Sequence, residues 1–397
     1  MVTNLGVAPR YQVVATTIRN LEPENWTVLI ASNQNVGDVK MAGGKLFAIH
    51  LAGATSKVEQ YSLEGNLERT LSLPQIGTVS GFSGKPSQRE IYYTFTSYTL
   101  PPTIFKYSIS TGQSVLYKIP PIRFNPNKYE SKLIFYRSKD GTRIPMVLTY
   151  KKGLVLDGKN PTLLHAYGGF GVNVTPQFST SNIILLENGG IYAVPSLRGG
   201  GEYGEPWHLA GTKLKKQTVF DDYIAAAEWL IQNRYTSADY LASSGASNGG
   251  LLVGATLTQR PDLFKVAFPA VGVLDMLRYQ QFTSGAGWTS EYGTAQDSPE
   301  MFYYLYRYSP YHTLKPASYP ATLITTADHD DRVVPAHSFK FAARLQETQI
   351  GAAPVLLRIE TNAGHGLGRS TAQVISEQAD KWAFLFENMG VKYPHME

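Results

Sequence analysis

From Tyr240 to Ser244 the chain is a short apolar run that reads as a buried strand. Gly245-Ala246-Ser247-Asn248-Gly249 follows, and a helical stretch then runs toward Pro261. Strand, sharp turn and helix in that order place the chain in a layered α/β fold with Ser247 at a strand end. The G-x-S-x-G pattern is short enough to arise by chance among 36 glycines. Its meaning therefore depends on what surrounds it.

The surroundings divide in two. Residues 1–121 read as all-β, with β-branched and aromatic runs such as YQVVATTI, LFAIHL and IYYTFTSY separated by the turn clusters EPEN, MAGGK and LPP. A repeat lies inside this half. VEQYSLEGNLERTLSLP (58–74) resembles IFKYSISTGQSVLYKIP (104–120), with Tyr61 and Tyr107, and Pro74 and Pro120, each 46 positions apart. The preceding runs Leu46-Phe47-Ala48 and Ile91-Tyr92-Tyr93 repeat at 45. A period in the forties predicts four-stranded propeller blades. About 120 residues hold two to three blades where a closed propeller has roughly four to eight. The expectation is thus a chain that starts inside a longer propeller, with Met1 not its natural beginning.

Residues 122–397 alternate strands and helices. A hairpin is expected around Asp140-Gly141, and PTLLHAYGG and GIYAVPSLRGGG read as strands entering glycine-rich loops. FDDYIAAAEWLIQNR is predicted as a helix burying Phe220, Ile224, Ala227 and Ile231 on one face. The expected architecture is a partial β-propeller followed by a doubly wound α/β sheet.

A serine hydroxyl needs a base to take its proton, and the base needs an acid to orient it. On sheets of this kind the order is serine, acid, histidine. Downstream of Ser247 the strand ATLITTA leads into Asp328-His329-Asp330-Asp331-Arg332. PVLLRIET then leads into Asn362-Ala363-Gly364-His365-Gly366. Spacing alone leaves open which of the three aspartates serves. The same Asp/His cluster has residue types that bind divalent ions, but adjacent residues rarely aim several side chains at one ion. No metal or cofactor is expected.

Bulk properties narrow the function classes. The formal charge is +5, but its basic residues are dispersed. The densest run, Lys213-Leu214-Lys215-Lys216, is predicted as solvated surface, so no nucleic-acid partner is expected. No apolar run reaches the ~18 residues of a membrane span, and MVTNLGVAPRYQ lacks the zones of a signal peptide. With no cysteine in the chain, disulfides are excluded and a cytoplasmic location is expected. The sequons at Asn25 and Asn173 matter only in a secreted protein.

These residues sit within longer motifs: HAYGGFG (165–171), RGGGEYGEPWH (198–208), GASNGG (245–250), QRPDLF (259–264), VGVLDML (271–277), WTSEYG (288–293), TADHDDRVVPAHS (326–338) and AGHG (363–366). From about residue 10 to its C-terminus the chain resembles the prolyl oligopeptidase family. The resemblance implies an α/β-hydrolase domain (122–397) capped by a seven-bladed propeller, whose C-terminal blades would be residues 1–121. It further implies a monomeric serine endopeptidase that cleaves short proline-containing peptides on the carboxyl side of proline.

Carried over by position, Ser247 would be the nucleophile, His365 the base and Asp330 the orienting acid. The Tyr167 phenol and the Asn248 N–H would form the oxyanion hole, and Arg332 would bind the carbonyl preceding the proline residue. Trp288 would stack on the proline ring in a pocket completed by Phe170, Val273, Tyr292 and Val333. Chemistry agrees, because a proline ring is apolar and uncharged and its site should be aromatic and aliphatic with no carboxylate; WTSEYG holds an indole, a phenol and only one acid. Ala246, where glycine is usual, and the lead-in His165-Ala166 depart from the family's pattern. Two other readings are an acyl-peptide hydrolase or esterase on the same fold, and a truncated, silent interaction protein.

Overall fold

Three antiparallel meanders come first in the computed structural model, which describes residues 1–6, 8–31 and 35–392. β1 (Val2–Thr3), β2 (Gln12–Ala15) and β3 (Thr27–Ile30) form a three-stranded sheet. β4 (Asn35–Ala42), β5 (Lys45–Ala52), β6 (Thr55–Tyr61) and β7 (Leu67–Thr70) form the next. β8 (Thr78–Gly81), β9 (Glu90–Thr96), β10 (Thr103–Ser108) and β11 (Ser114–Lys118) form the third.

The sequence repeat corresponds to register. Tyr61 pairs with Leu46 in the second sheet, and Tyr107 pairs with Ile91 in the third. Inward-facing aromatics join these two sheets: Phe82 stacks on Phe47 at 5.5 Å and on Tyr93 at 4.7 Å. The Tyr107 hydroxyl crosses to donate to Gln60 Oε1 at 2.7 Å.

An eight-stranded sheet follows, in the order β12 (Tyr129–Arg137), β13 (Arg143–Lys151), β15 (Ile191–Pro195), β14 (Thr162–His165), β16 (Leu241–Ala246), β17 (Val266–Ala270), β18 (Ala321–Ala327), β19 (Val355–Glu360). β12 and β13 are the expected hairpin and pair antiparallel, as does β13 with β15; from β15 onward all pairings are parallel. Strand order reverses at β14, which lies between β15 and β16. A crevice outside the carboxyl ends of strands opens at such a reversal. The parallel register sets His165 beside Ser244, so the loops leaving β14 and β16 start side by side.

Alternate strand residues face opposite layers. Leu164, Ile191 and Ala193 pack with helices Gln217–Gln232 and Asn248–Gln259, whereas Leu163, Tyr192 and Val194 pack with Thr180–Glu187 and Thr371–Met389. In Gln217–Gln232 the fully buried positions are Val219, Phe220, Asp222, Tyr223, Ala226, Ala227 and Leu230. The face expected from Phe220, Ile224, Ala227 and Ile231 is thus rotated: Ile224 and Ile231 are only half-buried at its border. Tyr223 wins the central position because its hydroxyl finds Leu164 O at 2.7 Å and Ser243 Oγ at 2.9 Å.

Arg198, just past β15, ties the layer together. Its guanidinium donates to Asp222 Oδ1 at 2.6 Å and Oδ2 at 3.0 Å, and also to both Asp140 oxygens in the β12–β13 turn. Asp222 is completely buried. Arg198→Met would leave that carboxylate unpaired, and about 3–5 kcal/mol of stability should be lost. A urea midpoint unchanged from the parent would refute the assignment.

The meanders dock on the eight-stranded sheet through hydrogen bonds and apolar packing. Asn35 Nδ2 donates to Gly201 O at 2.7 Å and Glu202 O at 3.0 Å, and Thr78 Oγ1 donates to Pro176 O at 2.8 Å. Tyr98 meets Tyr192 edge-on at 5.1 Å. Glu202 is buried here. One carboxylate oxygen accepts the Val174 N–H at 3.0 Å and the other has no partner. Burial pushes this carboxyl up to about 7. A raised carboxyl binds its proton in the folded chain where the unfolded chain has lost it, so stability falls as pH rises from the unfolded value toward 7. Glu202→Gln should therefore add up to about 3 kcal/mol at pH 8 and little at pH 4. Denaturation at the two pH values with equal gains would contradict this.

Candidate active site

The turn after β16 is held by close approach. Ser247 has φ 61° and ψ −116°, a conformation costing a non-glycine residue about 1–3 kcal/mol. Backbone bonds hold it: the Ser247 N–H donates to Ala270 O at 2.9 Å, and its carbonyl accepts from Gly250 at 2.9 Å and Leu251 at 3.1 Å. A Cβ on Gly249 would lie 2.7 Å from the Ala166 carbonyl oxygen, and one on Gly245 would collide with the Gly249 carbonyl. Both glycines are therefore needed for the helix to start against the end of β14. Ala246 is exposed and outside the positive-φ region, so the strain of the turn falls on the serine.

The loops after β18 and β19 are joined by backbone bonds from Asp328 N–H to Glu360 O at 3.0 Å and His329 N–H to Ala363 O at 3.1 Å. That join places His365 Nδ1 2.6 Å from Asp330 Oδ2. Asp330 Oδ1 accepts the N–H groups of Arg332 at 3.0 Å and Val333 at 2.9 Å, so the carboxylate is fixed at both oxygens. Among the three aspartates, geometry singles out this one. Asp328 instead pairs with exposed His329 at 2.7 Å, and Asp331 faces solvent.

Tyr167 leaves β14 toward Ser247. Burial raises its phenol pKa; the hydrogen bond with Ser247 opposes the rise, the Glu291 charge adds to it, and the Arg332 charge opposes it. The phenol stays a proton donor at neutral pH. Asn248 opens the helix, where its N–H has no carbonyl four residues earlier to bond. Its side chain is fixed: Oδ1 accepts the Tyr292 hydroxyl at 2.8 Å, and Nδ2 donates to Tyr167 O at 2.5 Å.

Beside these groups runs a line of aromatic rings. Phe170 meets Tyr292 edge-on at 5.5 Å, Tyr292 meets Tyr279 at 5.3 Å, and Tyr279 lies parallel to Trp288 at 6.3 Å. Val273 and Val333 are buried in the same cluster, against which Phe170 and Trp288 are half-buried. Every residue expected in the pocket is brought into one cluster. Arg332 stands apart from that cluster as an exposed side chain whose charge reaches Tyr167.

Sequence reasoning missed two parts of this region. Tyr279 bridges Tyr292 and Trp288 and donates its hydroxyl to Gly293 O at 2.6 Å; among 25 tyrosines no spacing marks it. Lys216, expected on solvated surface, is buried at 1% side-chain exposure and lies 3.4 Å from Glu291 Oε1. Lys213 and Lys215 do face solvent. Glu291 is itself buried at 3%, and its other oxygen contacts His208 Nε2 at 2.8 Å. Burial lowers the Lys216 ammonium pKa, and Glu291 pulls it back up. The one acid in WTSEYG is thus matched by a cation.

Comparison with known proteins agrees with this arrangement. The pattern of the prolyl oligopeptidase family matches residues 176–392, and that of the prolyl oligopeptidase N-terminal β-propeller domain matches 1–120. A prolyl endopeptidase of Elizabethkingia miricola is 57% identical over 97% of this chain and 55% of its own length. A prolyl oligopeptidase of Omphalotus olearius is 39% identical over 98% of this chain and 53% of its own. A solved structure from a study of two prolyl endopeptidases superposes with a TM-score of 0.93 at 45% identity, covering 98% of this chain and 58% of that one. The chain thus spans about half the length of the curated relatives it matches. With its propeller sheets, its α/β-hydrolase sheet and more than half its residues matched by the family pattern, the chain belongs to the prolyl oligopeptidase family.

Proposed function

We propose that this chain carries the catalytic centre of a serine endopeptidase that hydrolyses short peptides on the carboxyl side of proline. The observation that carries the reading is the 2.6 Å bond from His365 Nδ1 to Asp330 Oδ2, in loops that leave the same carboxyl edge of the sheet as the strained Ser247 turn. A proton on Nδ1, held by Asp330, leaves Nε2 free to take the Ser247 proton. The Ser247 oxygen then attacks the carbonyl carbon of the proline residue. Negative charge on the carbonyl oxygen is met by the Tyr167 O–H and the Asn248 N–H. His365 returns the proton to the leaving amine, and water releases the acyl group by the same steps. No metal or organic cofactor enters.

Specificity for proline follows from the pocket. Phe170 and Trp288 are half-buried and would offer flat apolar faces, Tyr292, Val273 and Val333 are buried behind them, and the nearby acid is already paired. Arg332, exposed and near Tyr167, would reach the preceding carbonyl. A solved relative, prolyl oligopeptidase B of Galerina marginata, is described as bound to a 35-residue hydrolysis and macrocyclisation substrate, which supports a peptide as the ligand. The reading divides the chain at 121/122 into propeller blades and catalytic domain, and takes the protein as a monomer. No helix among the described residues is long and apolar enough to cross a membrane.

The test is cleavage of short blocked peptides bearing proline, alanine or arginine before the scissile bond, with Ser247→Ala as the blank. Proline-selective turnover lost in the blank is expected; turnover that survives Ser247→Ala would sink the reading. Tyr167→Phe should lower kcat roughly 10²–10³-fold with little change in KM. Trp288→Ala should narrow the proline-over-alanine ratio by about 10-fold or more, since aromatic contact and burial are lost together. An unchanged ratio would remove Trp288 from the pocket.

A further inference from the structure

The segment Tyr167-Gly168-Gly169-Phe170 carries two functions at once: the oxyanion phenol at one end and a wall of the proline pocket at the other. It has no regular secondary structure to hold it. Asn248 Nδ2 holds the Tyr167 carbonyl, and the backbone beyond it is taken by two further buried side chains. Lys216 Nζ donates to Gly168 O at 3.0 Å, and Glu291 Oε1 accepts the Phe170 N–H at 2.9 Å. The two side chains face each other at 3.4 Å, and His208 Nε2 covers the second Glu291 oxygen at 2.8 Å.

We propose that the Lys216–Glu291 ion pair is a positioning device that fixes the Tyr167–Phe170 segment, and through it both the oxyanion donor and the pocket wall. The inference rests on reading Tyr167 as the oxyanion donor. Neither side chain touches substrate. Lys216 lies against the Tyr292 ring, 5.3 Å from its centroid, and is wholly enclosed. Its charge is therefore spent on one carboxylate and one carbonyl. A fixed donor gains most of its catalytic value from being in place before charge develops. The pair thus acts on kcat through Tyr167 and on selectivity through Phe170.

Removing one partner would strand a buried charge and could unfold the chain. The informative variant is therefore the double substitution Lys216→Met with Glu291→Leu, which keeps volume and removes both anchors. It should fold, with kcat for the proline peptide reduced about 30-fold or more and KM changed less than about 3-fold. Lys216→Met with Glu291→Gln restores an acceptor for the Phe170 N–H. It should recover the proline-over-alanine ratio but not kcat. In a Tyr167→Phe background the first double variant should cost less than about 3-fold more, because the donor it positions is already gone. A full multiplicative loss there would assign the pair a purely structural role and overturn the proposal.

One further measurement separates this inference from the functional reading. Hydrogen exchange at the Phe170 amide reports the anchor directly, whether or not the chain cleaves anything. Protection should fall at least about 10-fold at residues 167–170 in the first double variant, with the strands unaffected. Unchanged protection would overturn the positioning role even in an active enzyme. Absence of turnover and of Ser247 labelling by a fluorophosphonate would instead overturn the functional reading alone.

Discussion

The site depends on how closely one helix start is pressed against one strand end. Gly245 and Gly249 have no side chain where the Ala166 and Gly249 carbonyls pass, and the turn between them drives Ser247 to φ 61°. A Cβ at either glycine would push the helix out and take the Asn248 N–H away from the Tyr167 side of the crevice. The cost of holding a serine in that conformation is about 1–3 kcal/mol. It is borne by the surrounding sheet: Ala270 at the end of β17 accepts the Ser247 N–H, and Val271 N–H in turn donates to Thr325 O in β18. Strain at one residue is thus distributed over three parallel strands, which are buried on both faces and have little room to relax.

Two buried charge clusters surround the crevice, and they do different things. Arg198 joins Asp222 to the β12–β13 turn and acts on the fold; its partners lie on elements distant in sequence. Lys216 and Glu291 act on a loop. Burying either pair gives up solvation that hydrophobic side chains would not have needed, so neither is explained by stability alone. For Arg198 the gain is directional: a planar fork binds two carboxylates at fixed angles. For Lys216 and Glu291 the gain is that one cation and one anion can hold a backbone carbonyl and a backbone N–H two positions apart, which no pair of apolar side chains can do.

What was legible in the sequence follows the same physics. Alternation and repeat length reported the meanders, because Tyr61 and Tyr107 occupy the same register on successive sheets. The order of Ser247, an aspartate cluster and His365 after three apolar strands reported the crevice, because parallel strands deliver their carboxyl ends to one edge, while the choice of Asp330 within the cluster came from the family resemblance. What stayed hidden depends on side chains meeting across sequence. Lys216 looks like its exposed neighbours Lys213 and Lys215 until the helix after it turns it inward toward Glu291, 75 residues away. The Gln217–Gln232 face was misplaced by a fraction of a turn because tyrosine and aspartate, polar by composition, are buried there once Leu164, Ser243 and Arg198 satisfy them. Tyr279 was invisible for the same reason: its hydroxyl is satisfied by a backbone carbonyl that no local pattern announces.

The groups arranged around Ser247 all come from beyond residue 160, yet the meanders are not remote from them. Asn35 holds Gly201 O, Gly201 follows Gly199, and Gly199 O accepts the Gly171 N–H at 2.9 Å, next to Phe170. A contiguous backbone path therefore runs from the second meander to the pocket wall. The contacts that join the halves include hydrogen bonds worth about 1 kcal/mol each, among them Glu205 N–H to Pro9 O at 3.0 Å, and apolar packing of Tyr98 and Ile76 into a core of the eight-stranded sheet. The loops that carry Tyr167 and Asp330 are tied separately, by buried charge and by backbone bonds inside one sheet. On the proposed peptidase reading, two separate sets of contacts let a crevice admit a peptide while the Tyr167 loop and the Asp330–His365 pair keep their places.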